Sequence, residues 1–189
     1  MTSPSLNRIA ILTLLVALGG CSTISKKECV SGDWYSIGYS DGAAGYESEK
    51  VHSHRDDCEK HGVGVNLNEY QRGHNDGLAK FCTRENGFKQ GNNGWNIKEI
   101  CPKPLEKTFF EGYLAGIKSA KERAESELKQ AKWRHRQRKQ LLKQEQNTKK
   151  QKALSKSVKG LERDVERRFK EVQKLQELQH KADFYYHRP

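Results

Sequence analysis

Three stretches, YSIGYSDG (35–42), YQRGHNDG (70–77) and FFEGYLAG (109–116), repeat one pattern, an aromatic residue followed at three and seven positions by glycines. The first two also place an aspartate, Asp41 and Asp76, immediately before the second glycine. On an α-helix these offsets share one face, so Gly38 and Gly42, Gly73 and Gly77, and Gly112 and Gly116 each form a bare stripe beside a ring. Glycine costs about 1 kcal/mol per helical position relative to alanine, and repeated placement on one stripe points to backbone meeting backbone. The expectation is three short helices whose glycine faces meet each other, with aromatics covering the joints. A phosphate cradle is a poor alternative, because no Gly-Lys-Ser/Thr follows these glycines and no strand precedes them.

The surroundings agree with helices. Ser31 reads as a helix N-cap, Asn66 or Asn68 as another, and Pro104 as a first-turn proline. Glu47 to His61, stopped by Gly62, reads as a further helix, and Asn86 to Gly94 as a turn-rich connection.

Five cysteines fall in the first 101 residues. The first, Cys21, ends a segment with the grammar of an export signal: one positive charge at Arg8, an apolar run from Ile9 to Leu18, then Gly19 and Gly20. Residues 1–20 read as a signal peptide and 21–28 as a tether. The other four, Cys29, Cys58, Cys82 and Cys101, are an even number in an exported chain, for which two disulfides are the default. Their spacing matches no zinc or redox pattern. Three pairings are open, and the favoured one is in chain order, Cys29 with Cys58 and Cys82 with Cys101. Each bridge contributes on the order of 3 kcal/mol by the chain-entropy model, large for a domain this small.

Charge divides the chain near Gly116. Residues 1–116 carry 13 Lys+Arg and 14 Asp+Glu, whereas residues 117–189 carry 22 and 10, so the net charge of +11 resides in the tail. The expected organisation is a Cys/Gly-rich helical domain over 29–116 and a basic helical tail over 117–189, all-α throughout. From Leu105 to about Asn147 one helix on the order of 60 Å is expected at 1.5 Å per residue. Beyond it Val158, Val165 and Val172 alternate with Leu154, Leu161 and Leu175 as a heptad, interrupted by Arg168. A homodimeric coiled coil and an antiparallel fold-back compete for that seam.

Catalytic signals are thin. His52, His54, His61 and His74 lie near Asp56, Asp57 and Asp76, but residues 49–60 are charged on nearly every face and solvated surface histidines explain them. Asp41 and Asp76 are candidates for a carboxylate pair. Trp34, Tyr35, Tyr39, Tyr46 and Trp95 read as core in a domain poor in Ile, Leu and Val, with a sugar-binding groove as the alternative. No catalytic triad, metal site or cofactor motif stands out.

Several of these residues together resemble a known family. Gly32-Asp33-Trp34-Tyr35, Asp41-Gly42-Ala43-Ala44-Gly45, Asp76-Gly77-Leu78, Phe81-Cys82-Thr83, Asn86-Gly87-Phe88 and Cys101-Pro102 are similar to the gammaproteobacterial lipoproteins called domain of unknown function 2799, over Cys29 to Lys118. Leu18-Gly19-Gly20-Cys21 resembles a lipobox, which implies acylation of Cys21, and Ser22 after it implies sorting to the outer membrane. The resemblance implies no activity and no catalytic residues. The functional expectation is a non-enzymatic structural or interaction lipoprotein of the outer membrane, facing the periplasm. Its partners would be the membrane through Cys21 and an envelope protein, peptidoglycan or lipopolysaccharide through the basic tail; export removes nucleic acid. The alternative is a small envelope enzyme or ligand binder using Asp41, Asp76 and the histidines.

Overall fold

A computed structural model describes residues 23–188; residues 1–20 and Cys21 lie outside the described residues. Seven helices follow in order: α1 Lys26–Ser31, α2 Trp34–Ala44, α3 Lys50–Glu59, α4 Leu67–Phe81, α5 Arg84–Asn92, α6 Lys103–Gln144 and α7 Thr148–His187. Helix starts are set by side chains that accept the free amides of the first turn. Ser25 and Glu28 form a capping box on α1, Asp33 caps α2, Asn66 caps α4 and Thr83 caps α5. Ser31 therefore closes α1 rather than opening α2; Asp33, two residues on, reaches the Ser36 amide at 3.1 Å.

The glycine stripes meet in pairs. A Cβ on Gly38 would land on the Tyr70 carbonyl and one on Gly42 on the His74 carbonyl, while Gly73 and Gly77 face the carbonyls of Tyr35 and Tyr39. Each of these distances is well under 3.0 Å, so no side chain fits. The contact register rises on both helices together, which makes α2 and α4 parallel, with α3 as the return. Every glycine meets the carbonyl of the residue three before its counterpart, so the pair has an internal two-fold register.

The third copy does not join this pair. Its helix, α6, packs on α5, where Gly112 and Gly116 meet the carbonyls of Arg84 and Phe88, and Gly87 and Gly91 meet those of Phe109 and Tyr113. The stretch expected as a turn-rich connection, 86–94, thus contains a fourth copy, with Arg84 in the aromatic position and glycines three and seven later. Two parallel glycine-faced pairs result, and a disulfide braces the segments around each. Cys29–Cys58 ties α1 to α3, with Cα atoms 5.4 Å apart, and Cys82–Cys101 ties the end of α4 to the start of α6, at 5.6 Å.

Two apolar cores follow. Ile24, Cys29, Trp34, Val51, Cys58 and Tyr70 fill the first. Leu78, Phe81, Phe109, Phe110, Tyr113 and Ile117 fill the second, together with Leu175, Leu178 and Ala182 from α7. Phe81 of α4 stacks on Phe109 of α6, ring centroids 5.7 Å apart, and so ties the end of the first helix pair into the second core. Gly45 ends α2 with φ +72°, and a side chain there would also strike the Phe81 ring.

The compositional boundary at 116/117 falls inside α6, which at 1.5 Å per residue is about 63 Å long. The chain then turns at 145–147 and α7 returns antiparallel along it. Arg168 pairs with Glu127, Arg134 with Asp164 at 3.5 Å, Lys121 with Gln179 at 3.0 Å and Arg188 with Glu106 at 2.7 Å. The Val/Leu seam is used within the chain: Val172 and Leu175 are buried, and Tyr185 stacks on Phe110 at 5.7 Å. The far end of the hairpin is charged, with eleven Lys and Arg and one Glu from Lys129 to Lys156.

The stripe predicts a reversal of sign. Gly73→Ala must push α2 and α4 apart and should cost about 2 kcal/mol, because backbone cannot yield as a side chain would. Gly160→Ala, in open space on α7, should instead stabilise by up to about 1 kcal/mol. Urea unfolding followed by circular dichroism checks both; a neutral Gly73→Ala would contradict the packing.

Candidate functional site

Where the first glycine pair meets α3, the fold buries charge. Asp41 stands one residue before Gly42 on the face of α2 that covers α3, and α3 turns His54 and Lys50 toward it. Asp41 is 6% exposed and His54 2%. Asp41 Oδ2 lies 2.7 Å from His54 Nε2 and accepts the Tyr70 hydroxyl at 2.9 Å, while Oδ1 accepts Lys50 Nζ at 2.6 Å. Burial pushes the Asp41 carboxyl upward, but the hydrogen bonds from His54, Lys50 and Tyr70 outweigh it and hold the group below the usual carboxylate value. The Tyr70 phenol moves the other way: burial first, then the Asp41 carboxylate, raise it well above its ordinary value.

The imidazole extends the chain outward. His54 Nδ1 lies 2.9 Å from Thr23 Oγ1, and Thr23 also donates to Asp57 Oδ2, from its backbone amide at 2.7 Å and its hydroxyl at 3.0 Å. Thr23, His54 and Asp41 are thus a hydroxyl, an imidazole and a carboxylate in line, the parts of a general-base relay. Here the Thr23 hydroxyl proton points to Asp57, and both Asp41 oxygens are occupied by donors. As arranged, the line tethers residue 23 to the first core.

The two-fold register of the glycine pair also relates the tyrosines. Tyr70 at the head of the α4 stripe bonds Asp41 at the foot of the α2 stripe, and Tyr35 bonds Asp76 at 2.9 Å in the reciprocal position. The first bond is buried and the second exposed. Asp41 and Asp76 therefore serve different tyrosines and do not form a carboxylate pair. His54 was expected on a solvated surface and is instead part of the core, because its partner lies on another helix. His74 is also buried, lying 2.8 Å from the Tyr46 carbonyl through Nε2. His52 and His61 are exposed. Among the described residues no cluster of three His, Cys, Asp or Glu side chains has the arrangement of a metal site.

Of the aromatics proposed for a sugar groove, Trp34 is core and Tyr35 and Tyr39 stack on each other at 6.5 Å along α2. Tyr46 and Trp95 are different. They are 47% and 50% exposed and line one groove of about 570 Å³ where the two units meet.

Residues 33–118 match the model of a family described as protein of unknown function (DUF2799). The match covers both glycine-faced pairs and ends within α6. No curated protein and no solved structure matches the chain.

The buried carboxylate predicts an acid-sensitive fold. The Asp41 value is lower folded than unfolded, so the unfolded chain binds more protons between the two values and stability rises with pH across that window. The contribution should be fully present above the unfolded aspartate value of about 3.9 and disappear as pH falls through the lower folded one. Denaturation midpoints from pH 7 to 2 should show a smaller acid loss in Asp41→Asn than in the parent. Asp41→Ala at pH 7 should cost about 3 kcal/mol, because His54 and Tyr70, both buried, are left without their shared acceptor.

Proposed function

We propose that this chain is a lipid-anchored protein of the outer membrane, facing the periplasm, that works as a non-catalytic structural or interaction module of the envelope. Cys21 carries the acyl chains, and several chains at about 0.8 kcal/mol per buried methylene make the attachment effectively permanent. The observation that supports this most is how close to Cys21 the described chain is tied to the domain. Thr23, two residues after Cys21, is already hydrogen-bonded to His54 and Asp57, and Ile24 is buried in the first core. The segment 21–28 is thus short of the slack a tether needs, and a lipid on Cys21 would seat the domain directly on the bilayer surface. No helix of the described residues is long and apolar enough to cross a membrane, so a lipid rather than a span is the attachment this reading requires.

The hairpin is the reaching part. Residues 129–156 lie beyond the buried contacts of the second core, and Trp133 is 57% exposed there amid the basic side chains. A stiff projection with that charge suits anionic partners, whether an envelope protein, peptidoglycan carboxylates or lipopolysaccharide phosphates, in a salt-dependent way. Self-association through the tail would have to use its outer faces, where Phe169 and Phe184 are exposed, because the Val/Leu seam is occupied by α6.

Metabolic labelling with palmitate in a gammaproteobacterial host tests the anchor. The parent should carry label and fractionate with the outer membrane, and Cys21→Ser should lose both; absence of label, or label that survives Cys21→Ser, overturns the reading. Truncation after Lys118 is unsuitable for testing the arm, because Leu175, Leu178 and Ala182 belong to the core. Excising residues 135–162 and closing the hairpin with a short turn should leave the thermal midpoint within a few degrees while reducing salt-sensitive binding to isolated sacculi or lipopolysaccharide. Unchanged binding would remove the role of the hairpin.

A further inference from the structure

The groove between the two units is a feature that neither the glycine packing nor the anchor explains. Ala44, Phe81 and Gly94 are among the residues that line it, and its volume of about 570 Å³ lies within the range of small-ligand sites. Trp95 stands on one rim, half exposed, and its backbone is fixed: its carbonyl accepts the buried Tyr113 hydroxyl at 2.6 Å and its amide bonds the Gln90 carbonyl at 3.1 Å. Tyr46 forms the opposite wall, its ring held by Lys50 Nζ 3.5 Å from the centroid. An exposed indole held by its backbone costs little further entropy when a ligand stacks on it.

The charged lining has one sign, and most of its hydrogen-bonding capacity is free. Lys98 and Lys174 bring two ammonium groups into the groove, and no Asp or Glu lines it. Lys98 gives one hydrogen to the Gly45 carbonyl at 2.6 Å, which orients the ammonium and leaves two donors. Lys174 and the side-chain amides of Gln90 and Asn96 make no hydrogen bond among the described residues. Glu171, one turn before Lys174, approaches Gly94 from the rim. An aromatic platform, two amides that both donate and accept, and paired ammonium groups are complementary to a ligand with an apolar ring face, several hydroxyls and a carboxylate.

We infer that this groove binds a carboxylate-bearing saccharide, with Trp95 stacking on a sugar ring, Gln90 and Asn96 bonding its hydroxyl or acetamido groups, and Lys98 and Lys174 holding the carboxylate. The site uses Lys174 of α7 where that helix packs on the domain, so it stands or falls independently of the lipid anchor and of the charged far end of the hairpin.

Calorimetric titration of the full chain with the N-acetylglucosamine–N-acetylmuramic acid disaccharide, and in parallel with chitobiose, tests the site. The first sugar carries a lactyl carboxylate and the second is its neutral counterpart. The acidic disaccharide should bind saturably and chitobiose about tenfold or more weakly. Trp95→Ala and Lys174→Met should each weaken the acidic sugar about tenfold with the thermal midpoint unchanged, and Trp133→Phe should have no effect. No saturable binding, equal affinity for the two sugars, or binding indifferent to both Trp95→Ala and Lys174→Met overturns the assignment.

Discussion

Close approach of helix backbones at eight glycines is the constraint on which the rest of the molecule depends. At each one a carbonyl oxygen of the facing helix occupies the place of a Cβ. The glycine Cα hydrogen in that place points at the oxygen, a weak hydrogen bond worth about 0.5–1 kcal/mol each, and the helices reach dispersion contact along their backbones. Helices of nine to fifteen residues, such as α5 and α4, gain little from intrinsic propensity and are held by such packing. The disulfides then limit how far the surrounding segments can part: Cys29–Cys58 holds α1 to α3 beside the first pair, and Cys82–Cys101 holds the end of α4 to the start of α6.

The two pairs share a backbone plan and differ in what they bury. The first covers a polar node of Asp41, His54, Lys50 and Tyr70, satisfied atom by atom, and uses it to hold Thr23 next to the acylation candidate Cys21. The second has Phe109 where the first has Tyr70, and Gln90 where the first has Asp41. It buries rings instead and borrows its remaining cover from α7. That loan is why a tail with the composition of a solvated arm returns to the domain, and why only its far end remains free to reach a partner. The join between the pairs leaves the groove of Tyr46 and Trp95, so packing the halves through Phe81 and Phe109 has created a cavity as well as a core.

Much of this was legible in the residues, and the omissions have physical causes. The aromatic-Gly-Gly spacing, the even cysteines and the Asn66 and Pro104 positions pointed to an all-α, stapled domain, and the disulfides join in chain order. The copy at Arg84, Gly87 and Gly91 was hidden because its leading residue is not aromatic and its Asn- and Gly-rich neighbours mimic a turn. Glycine spacing alone, without the ring, would have found it. His54 was hidden because the charge around it on α3 describes a solvated face, whereas its burial is decided by Asp41 on another helix. The choice between coil and hairpin was undecided by the heptad itself. In the structure the tail takes the fold-back, with Leu178, Ala182 and Tyr185 beyond the heptad packed on Phe110 and its neighbours.

The central claim is that α2 and α4 touch through their backbones, and nuclear Overhauser spectroscopy on the labelled protein measures this most directly. Cross-peaks are predicted between the Hα protons of Gly73 and Tyr35, and between those of Gly38 and the amide proton of His74, at the short ranges that only backbone contact allows. Helices separated by the ordinary spacing of 8–10 Å would show side-chain cross-peaks alone, and that result would contradict the account.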